Sequence, residues 1–131
     1  MEIQQSGVSL MAQRAVKVLI LEEDSLSAYN SKLILENRGY TVIGVADEAI
    51  SGMLMAELDP PDVALVDVDL IGDINGISVA QALREKYGTR IIFVTAEPGR
   101  VILEEDFHQV GIIGKPYTDV TLIETLQEAA A

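Results

Sequence analysis

The chain has 131 residues, of which 49% are apolar, so it has room for one domain with a sizeable core. Its formal charge of −12 at pH 7 argues against non-specific binding to nucleic acid or to an anionic membrane, because both need a surplus of Lys and Arg. The absence of cysteine excludes disulfides, thiolate catalysis and cysteine-based zinc sites. No apolar run reaches the length of a membrane span and no signal peptide is visible, so we expect a cytoplasmic protein.

Short apolar runs alternate with helical patterns, which is typical of an α/β fold with a parallel sheet. Residues 1–14 are polar and weakly patterned, and we expect an extension that is flexible or forms an extra helix, with the domain covering 15–131. The predicted strands are Ala15–Leu21, Tyr40–Ala46, Val63–Val68, Arg90–Thr95 and Val110–Gly114. The predicted helices are Ser25–Asn37, one between Asp47 and Pro60, Ile77–Tyr87, Val101–Phe107, and a last one that Thr118 or Asp119 caps and that runs to about Ala129.

Local signals predict where the helices end and which side they bury. Asp24 or Ser25 can cap the first helix, Asp47 can cap the second, and Gly39 stands where a left-handed residue ends a helix. Apolar spacing predicts the inward stripes of the first three helices. They are Leu26, Leu33 and Ile34 in the first, Ile50, Met53, Leu54 and Leu58 in the second, and Ile77, Ala80 and Leu83 in the third.

The alternation of strands and helices leaves few possible topologies, because crossovers are right-handed and parallel strands are buried. We predict a flavodoxin-like, doubly wound sheet of five parallel strands in the order 2-1-3-4-5, in a single domain. The first and third strands then lie side by side, and ligands bind beyond the carboxyl ends of the strands at this switch point.

Polar residues end four predicted strands at this same edge. Glu22 and Glu23 follow the first strand, Asp67 ends the third, Thr95 ends the fourth, and Lys115 follows the fifth. Clustered carboxylates need a cation, and hard oxygen ligands suit Mg²⁺, which can bridge to a phosphoryl oxygen. Asp67 can attack phosphorus as a carboxylate nucleophile, and Lys115 can pair with it and reach the incoming phosphate. Thr95 can donate a hydrogen bond to a phosphoryl oxygen, and this positioning is most of what phosphoryl transfer needs.

Five segments, VLILEED, PDVALVDVDL, GISVAQALRE, IIFVTA and GKPY, resemble those of two-component response-regulator receiver domains. The resemblance runs from about Val16 to the C-terminus and is specific in the joint order and spacing of the segments. It implies that Glu22 and Glu23 bind Mg²⁺, that Asp67 accepts the phosphoryl group, and that Asp69 offers its backbone carbonyl to the metal.

The same resemblance implies roles for three further residues. Thr95 corresponds to the residue whose hydroxyl group acts as the switch. Lys115 corresponds to the lysine that is characteristic of the family's site. The Lys115–Pro116 peptide bond corresponds to one that is usually cis in the family. In such a domain Thr95 moves toward the phosphoryl group and repacks the face made by the fourth strand, fourth helix and fifth strand.

The resemblance also implies the partners and the kind of activity. The phosphoryl donor is expected to be a histidine kinase or a histidine phosphotransfer protein, and a downstream protein target is expected to bind the switching face. We expect no nucleic-acid or membrane partner and no attached output domain. The protein is then not a conventional enzyme, and its only chemistry is self-phosphorylation and slow self-dephosphorylation.

The sequence departs from the family pattern at several points. The acidic pair is Glu-Glu where the family usually has at least one Asp, Ile112 takes the usual aromatic switch position, and the short span to Lys115 suggests a truncated or irregular fourth helix. These departures leave open a pseudo-receiver, an interaction module that works without phosphorylation. An FMN-binding flavodoxin-like protein is disfavoured because acidic EED would repel the phosphate. A carboxylate-dependent phosphatase would need an added acid/base and a substrate cap.

Overall fold

The structure, a computed structural model, describes residues 14–70, 75–99 and 111–131. Its strands are β1 (Lys17–Leu21), β2 (Thr41–Ala46), β3 (Val63–Asp67), β4 (Arg90–Thr95) and β5 (Gly111–Gly114). Its helices, within the described ranges, are α1 (Ser25–Asn37), α2 (Ala49–Leu58), α3 (Gly76–Tyr87) and α4 (Asp119–Ala130). No helix in these ranges is long and apolar enough to cross a membrane.

The five strands form one parallel sheet in the order β2-β1-β3-β4-β5, which confirms the predicted α/β topology. Alternation along β1 shows how the sheet separates two apolar layers. Val18 and Ile20 pack in the layer that contains α1 and α4, whereas Leu19 and Leu21 pack in the layer that contains α2 and α3. All four side chains are buried, as expected of a central parallel strand.

The predicted elements agree with the observed ones within two residues at each end where both are described. Strand β4 has the predicted bounds, and β1 begins two residues later than predicted. The predicted helix Val101–Phe107 and nearly all of the N-terminal extension lie outside the described residues.

Three of the predicted helix-end signals are confirmed. Asp24 caps α1, where its Oδ1 accepts hydrogen bonds from the backbone N–H groups of Leu26 at 3.0 Å and Ser27 at 3.3 Å. Thr118 caps α4. Gly39 has a φ of +88°, a left-handed conformation that is strained for residues with a Cβ.

The prediction that Asp47 caps α2 is wrong. The helix begins at Ala49, so the capping position falls on Glu48, whose side chain makes no capping hydrogen bond. The strand and the helix are separated by two residues, and only the second of these occupies the position from which a side chain caps the first turn.

The predicted inward stripes of α1 and α2 are largely wrong. Leu26 in α1 and Ile50, Leu54 and Leu58 in α2 are 57–88% exposed, and Leu33 is 41% exposed. The sheet-facing positions are instead Ala28, Ser31 and Leu35 in α1, and Ala49, Gly52 and Ala56 in α2. Of the predicted stripe residues in these helices, only Ile34 and Met53 pack against the core, each partly buried.

Close packing against the sheet explains the difference. A Cβ added to Gly52 would lie 2.7 Å from Cδ2 of Leu21, so α2 needs a small residue where it crosses β1. Because α2 is apolar around much of its circumference, hydrophobicity alone does not distinguish its buried side. The stripe of α3 is confirmed, since Ala80 and Leu83 are fully buried and Ile77 is partly buried against the same apolar cluster.

Candidate functional site

Strand register brings the predicted site residues together at one edge of the sheet. Asp67 ends β3 and Glu22 directly follows β1, and these two strands pair in parallel. Thr95 ends β4 beside β3, and Lys115 directly follows β5 beside β4. Four side chains that are distant along the chain therefore lie at the carboxyl ends of adjacent strands.

Lys115 joins the two buried carboxylates of this edge. Its Nζ lies 2.9 Å from Glu22 Oε1 and 3.0 Å from Asp67 Oδ2. Glu22 and Asp67 are only 7% and 3% exposed, so each needs a partner to offset the loss of water. Two carboxylates share one ammonium group, which leaves this cluster with a net negative charge.

Backbone N–H groups orient the remaining carboxylate oxygens. The N–H of Asp24 donates to Glu22 Oε2 at 3.1 Å, and the N–H of Asp69 donates to Asp67 Oδ1 at 2.9 Å. Each carboxylate thus has one oxygen on Lys115 and one on the backbone. This arrangement fixes the plane of the Asp67 carboxylate before any substrate arrives.

Burial and mutual repulsion set the charges of the cluster. Burial raises the pKa of Glu22, and neighbouring Asp67 adds to the rise, while hydrogen bonds from Lys115 and from the Asp24 N–H partly oppose it. Burial opposes the charge of Lys115, but its hydrogen bonds to the two carboxylates outweigh this and raise the pKa of Lys115 to about 12. The ammonium therefore stays protonated at neutral pH.

Thr95 lies beside the cluster and is almost fully buried. Its Oγ1 accepts a hydrogen bond from the N–H of Glu97 at 3.0 Å, and its carbonyl accepts one from the N–H of Lys115 at 2.8 Å. The hydroxyl proton of Thr95 takes no part in either bond. The residue thus links the ends of β4 and β5 and keeps a donor for another oxygen.

The predicted metal ligands are only partly gathered. Glu22 and Asp67 supply adjacent carboxylate oxygens, the donors that a hard divalent cation prefers, and they carry more negative charge than Lys115 neutralises. Glu23 is exposed on the loop after β1, and Asp69 is exposed after β3. Within the described ranges no three acidic or other ligating side chains converge. Glu22 and Asp67 thus have the chemistry of Mg²⁺ ligands, and all four ligand assignments stay predictions.

Gly76 is a residue of this site that the sequence reasoning missed. A Cβ there would overlap the backbone oxygen of Asp67 and lie 2.9 Å from Cα of Val68. The first turn of α3, capped by Asn75, therefore packs directly against the backbone of Asp67. The available signal was a glycine at the start of a helix, where this residue is a poor helix former.

Two positions singled out by the comparison with the family pattern lie in β5 and directly after it. The Lys115–Pro116 peptide bond is cis, as predicted. Ile112, in the position usually held by an aromatic switch residue, is partly buried and packs against the layer that contains α2 and α3.

Comparison with known proteins agrees with this architecture. The family model of the response regulator receiver domain matches residues 18–127. The crystal structure of the signal receiver domain of a modulated diguanylate cyclase from Desulfovibrio desulfuricans superposes with a TM-score of 0.79 at 30% identity, and the match covers 88% of this chain and 94% of that one.

Two curated relatives are longer than this chain. The phyllosphere-induced regulator PhyR of Methylorubrum extorquens is 27% identical over 128 residues, which are 97% of this chain and 48% of that protein. The transcriptional regulatory protein PdtaR of Mycobacterium tuberculosis is 28% identical over 130 residues, 96% of this chain and 63% of that protein. The chain thus spans 48–63% of the length of these relatives.

Proposed function

Because the chain belongs to the family of response regulator receiver domains, we propose that it is a signalling switch that accepts a phosphoryl group on Asp67. The observation that carries this proposal is the contact of the buried Asp67 carboxylate with the Lys115 ammonium, 3.0 Å apart, at the switch point of the sheet. A carboxylate in this position is oriented by the Asp69 N–H and lies next to a fixed positive charge.

In the proposed reaction an oxygen of Asp67 forms a bond to phosphorus. The phosphorus–nitrogen bond of a phosphohistidine donor breaks, its electron pair stays with the imidazole, and the product is an acyl phosphate. Lys115, protonated at neutral pH, neutralises charge on the transferred group. Thr95 donates its free hydroxyl proton to a phosphoryl oxygen, which draws the end of β4 toward the site.

A magnesium ion belongs to this proposal, since the family is typically dependent on it. Glu22 and Asp67 would hold the ion, with Glu23 and the backbone carbonyl of Asp69 as the other predicted ligands. When bound, the ion supplies positive charge for the phosphoryl oxygens. The surplus negative charge of the two buried carboxylates supports this assignment.

The proposed partners follow from the same chemistry. The donor is a histidine kinase or a histidine phosphotransfer protein, and the output is a protein that binds the face made by β4, residues 96–110 and β5. Of this face, the structure describes β4, residues 96–99 and β5. A cytoplasmic location, self-phosphorylation and slow self-dephosphorylation complete the proposal, which treats the domain as a switch and not as a conventional enzyme.

Intact-mass measurement tests the proposal. The full chain is incubated with Mg²⁺ and acetyl phosphate, and we expect a mass gain of one phosphoryl group that is absent in Asp67→Ala. Asp62 is an acidic residue at the amino ends of the strands, away from the site. Asp62→Asn is therefore the matched control and should be phosphorylated like the parent. A mass gain that persists in Asp67→Ala would show a different acceptor and refute the assignment.

The same experiment distinguishes the proposed phosphorylated switch from a pseudo-receiver that works without phosphorylation. That alternative is favoured by the Glu-Glu pair, of which only Glu22 is buried beside Asp67. A parent protein that stays unmodified with both acetyl phosphate and a phosphorylated histidine phosphotransfer protein, while remaining folded, would establish the interaction module instead.

A further inference from the structure

A hydrogen bond between two hydroxyl groups joins α1 to the segment that carries Lys115. Ser31 Oγ lies 2.7 Å from the hydroxyl oxygen of Tyr117, 86 residues away along the chain. Ser31 is 4% exposed in the middle of α1, and Tyr117 is partly buried against the apolar layer of α1 and α4. A buried hydroxyl is costly without a partner, so Ser31 needs the hydroxyl of Tyr117.

This hydrogen bond lies close to the cluster formed by Glu22, Asp67 and Lys115. Tyr117 is two residues beyond Lys115, and α1 begins three residues beyond Glu22. Glu22, Ser31, Lys115 and Tyr117 line one cavity of about 740 Å³ between α1 and the segment after β5. The bond therefore ties together the two segments whose side chains meet in the Lys115–Glu22 ion pair.

Lys115 needs such a restraint because its own side chain is flexible and does little to fix the position of the ammonium group. A lysine ammonium is a compact charge on a flexible four-carbon stem, so its position depends on the backbone that bears it. In this protein the Nζ has to lie within 3.0 Å of two carboxylates that are carried by different strands. Small displacements of a positioned group can lower reaction rates strongly.

We propose that Ser31 and Tyr117 are positioning residues that hold Lys115 in its bridging place through their hydroxyl–hydroxyl hydrogen bond. Neither residue touches the reacting atoms. The proposal rests on the proposed function, since the quantity it controls is the rate of phosphoryl transfer to Asp67. It assigns a role to Ser31 of α1. Neither the apolar spacing of this helix nor the acidic residues at the strand ends would have predicted that role.

The test is a double-mutant cycle on the rate of phosphorylation by acetyl phosphate with Mg²⁺, followed by intact mass. Ser31→Ala and Tyr117→Phe should each slow the reaction by about 5- to 50-fold, and the double variant should be no slower than the slower single variant. Ser31→Thr, which keeps the hydroxyl, should recover most of the parent rate. Tyr29→Phe and Ser27→Ala, at other positions of α1, are the matched controls and should react at the parent rate.

The folded fraction separates positioning from a loss of folded protein, and circular dichroism measures it for each variant under the assay conditions. If the bond only stabilised the fold, the rate constant would fall only in proportion to the folded fraction, and the proposal would be overturned. Additive effects of the two substitutions, or parent-like rates in both, would overturn it too. A slower rate constant in a fully folded variant supports it.

A second measurement does not depend on phosphorylation. In ¹H–¹⁵N spectra of the lysine ammonium groups, Lys115 of the parent should be protected from exchange, and Tyr117→Phe should abolish this protection while Tyr29→Phe should not. If the parent accepts no phosphoryl group but shows this pattern, the function fails and the positioning stands. Protection that persists in Tyr117→Phe refutes the positioning itself.

Discussion

The two ends of the sheet hold charged clusters of opposite design. At the amino end, Arg14 pairs with Asp62 at 3.2 Å and Lys17 pairs with Asp59 at 2.8 Å, so that two acids meet two bases. These side chains are 33–62% exposed. At the carboxyl end, two nearly buried carboxylates share the ammonium of Lys115.

The pKa values at the two ends move in opposite directions. Burial opposes the charge of Asp62, but the backbone N–H of Lys17 and the Arg14 guanidinium outweigh it and hold the pKa of Asp62 below its usual value. Burial raises the pKa of Glu22 at the other end, and the nearby carboxylate of Asp67 adds to it. The charged form of Asp62 thus stabilises the fold, whereas the charged form of Glu22 opposes it.

The contrast separates a structural ion network from a functional one. A balanced, exposed network contributes modestly to stability and is easily replaced. A buried cluster with too few cations lowers stability, and such clusters are typical of sites that take up a charged ligand. By this criterion the carboxyl end of the sheet is the candidate functional end, in agreement with the proposed function.

Substitution of the lysine at each end of the sheet should give the largest difference in the free energy of unfolding between the two ends. Lys115→Met leaves two buried carboxylates without their cation and should lower the free energy of unfolding at pH 7 by about 2–4 kcal/mol. Lys17→Met, the matched control at the amino end, breaks an exposed pair and should lower it by about 0.2–1 kcal/mol. Urea unfolding in metal-free buffer measures both, and equal losses would contradict the comparison.

Neutralising Glu22 should stabilise the protein. Because the pKa of Glu22 is raised on folding, the native state binds more protons than the unfolded state above pH 4.5, and stability falls as pH rises through this window. Glu22→Gln removes this loss and should raise the free energy of unfolding at pH 7 by about 1 kcal/mol. The gain should vanish below pH 4.5, where the unfolded carboxyl is also protonated.

Chemical unfolding of Glu22→Gln at several pH values without metal checks this prediction. Glu23→Gln, an exposed neighbour on the same loop, is the matched control and should change the stability little. If Glu22→Gln raised the free energy of unfolding equally at all pH values, or lowered it at pH 7, the charge of Glu22 would not be the one that destabilises the fold.

The smallest effect, with the opposite sign, is expected at Asp62. Its lowered pKa means that its contribution to stability is present above pH 3.8 and is lost as pH falls below this value. Asp62→Asn should therefore lower the free energy of unfolding at pH 7 by about 0.5 kcal/mol, a typical value for an exposed pair. The loss should disappear at low pH, with exposed Asp47→Asn as the control. A gain at pH 7 would erase the distinction between the two ends.

Much of the site could be predicted from the sequence because strand ends are visible in it. Apolar runs that stop at Glu22, Asp67 and Thr95 locate the carboxyl ends of three parallel strands, and parallel strands present these ends at one edge. The sequence does not contain the geometry of the cluster. That Lys115 contacts two carboxylates, and that Glu23 is exposed while Glu22 is buried, depends on rotamers and on the path of two loops.

The helix faces show the same limit. Apolar spacing predicted that Leu54 and Leu58 face the core, but Gly52 and Ala56 do, because α2 approaches the sheet too closely for larger side chains. The apolar pattern is informative where one side of a helix is clearly polar, as in α3, and is not where the whole helix is apolar.

The sequence alone determined the order and type of the elements, the parallel sheet and the edge at which the acidic residues, the threonine and the lysine collect. These follow from the period of the apolar residues and from the handedness of crossovers, which are properties of the chain itself. Only the tertiary structure decided which helix faces are buried, which carboxylates share the ammonium, and that Ser31 meets Tyr117. Those outcomes depend on how closely distant segments pack, because burial and distance exist only between parts of a folded molecule.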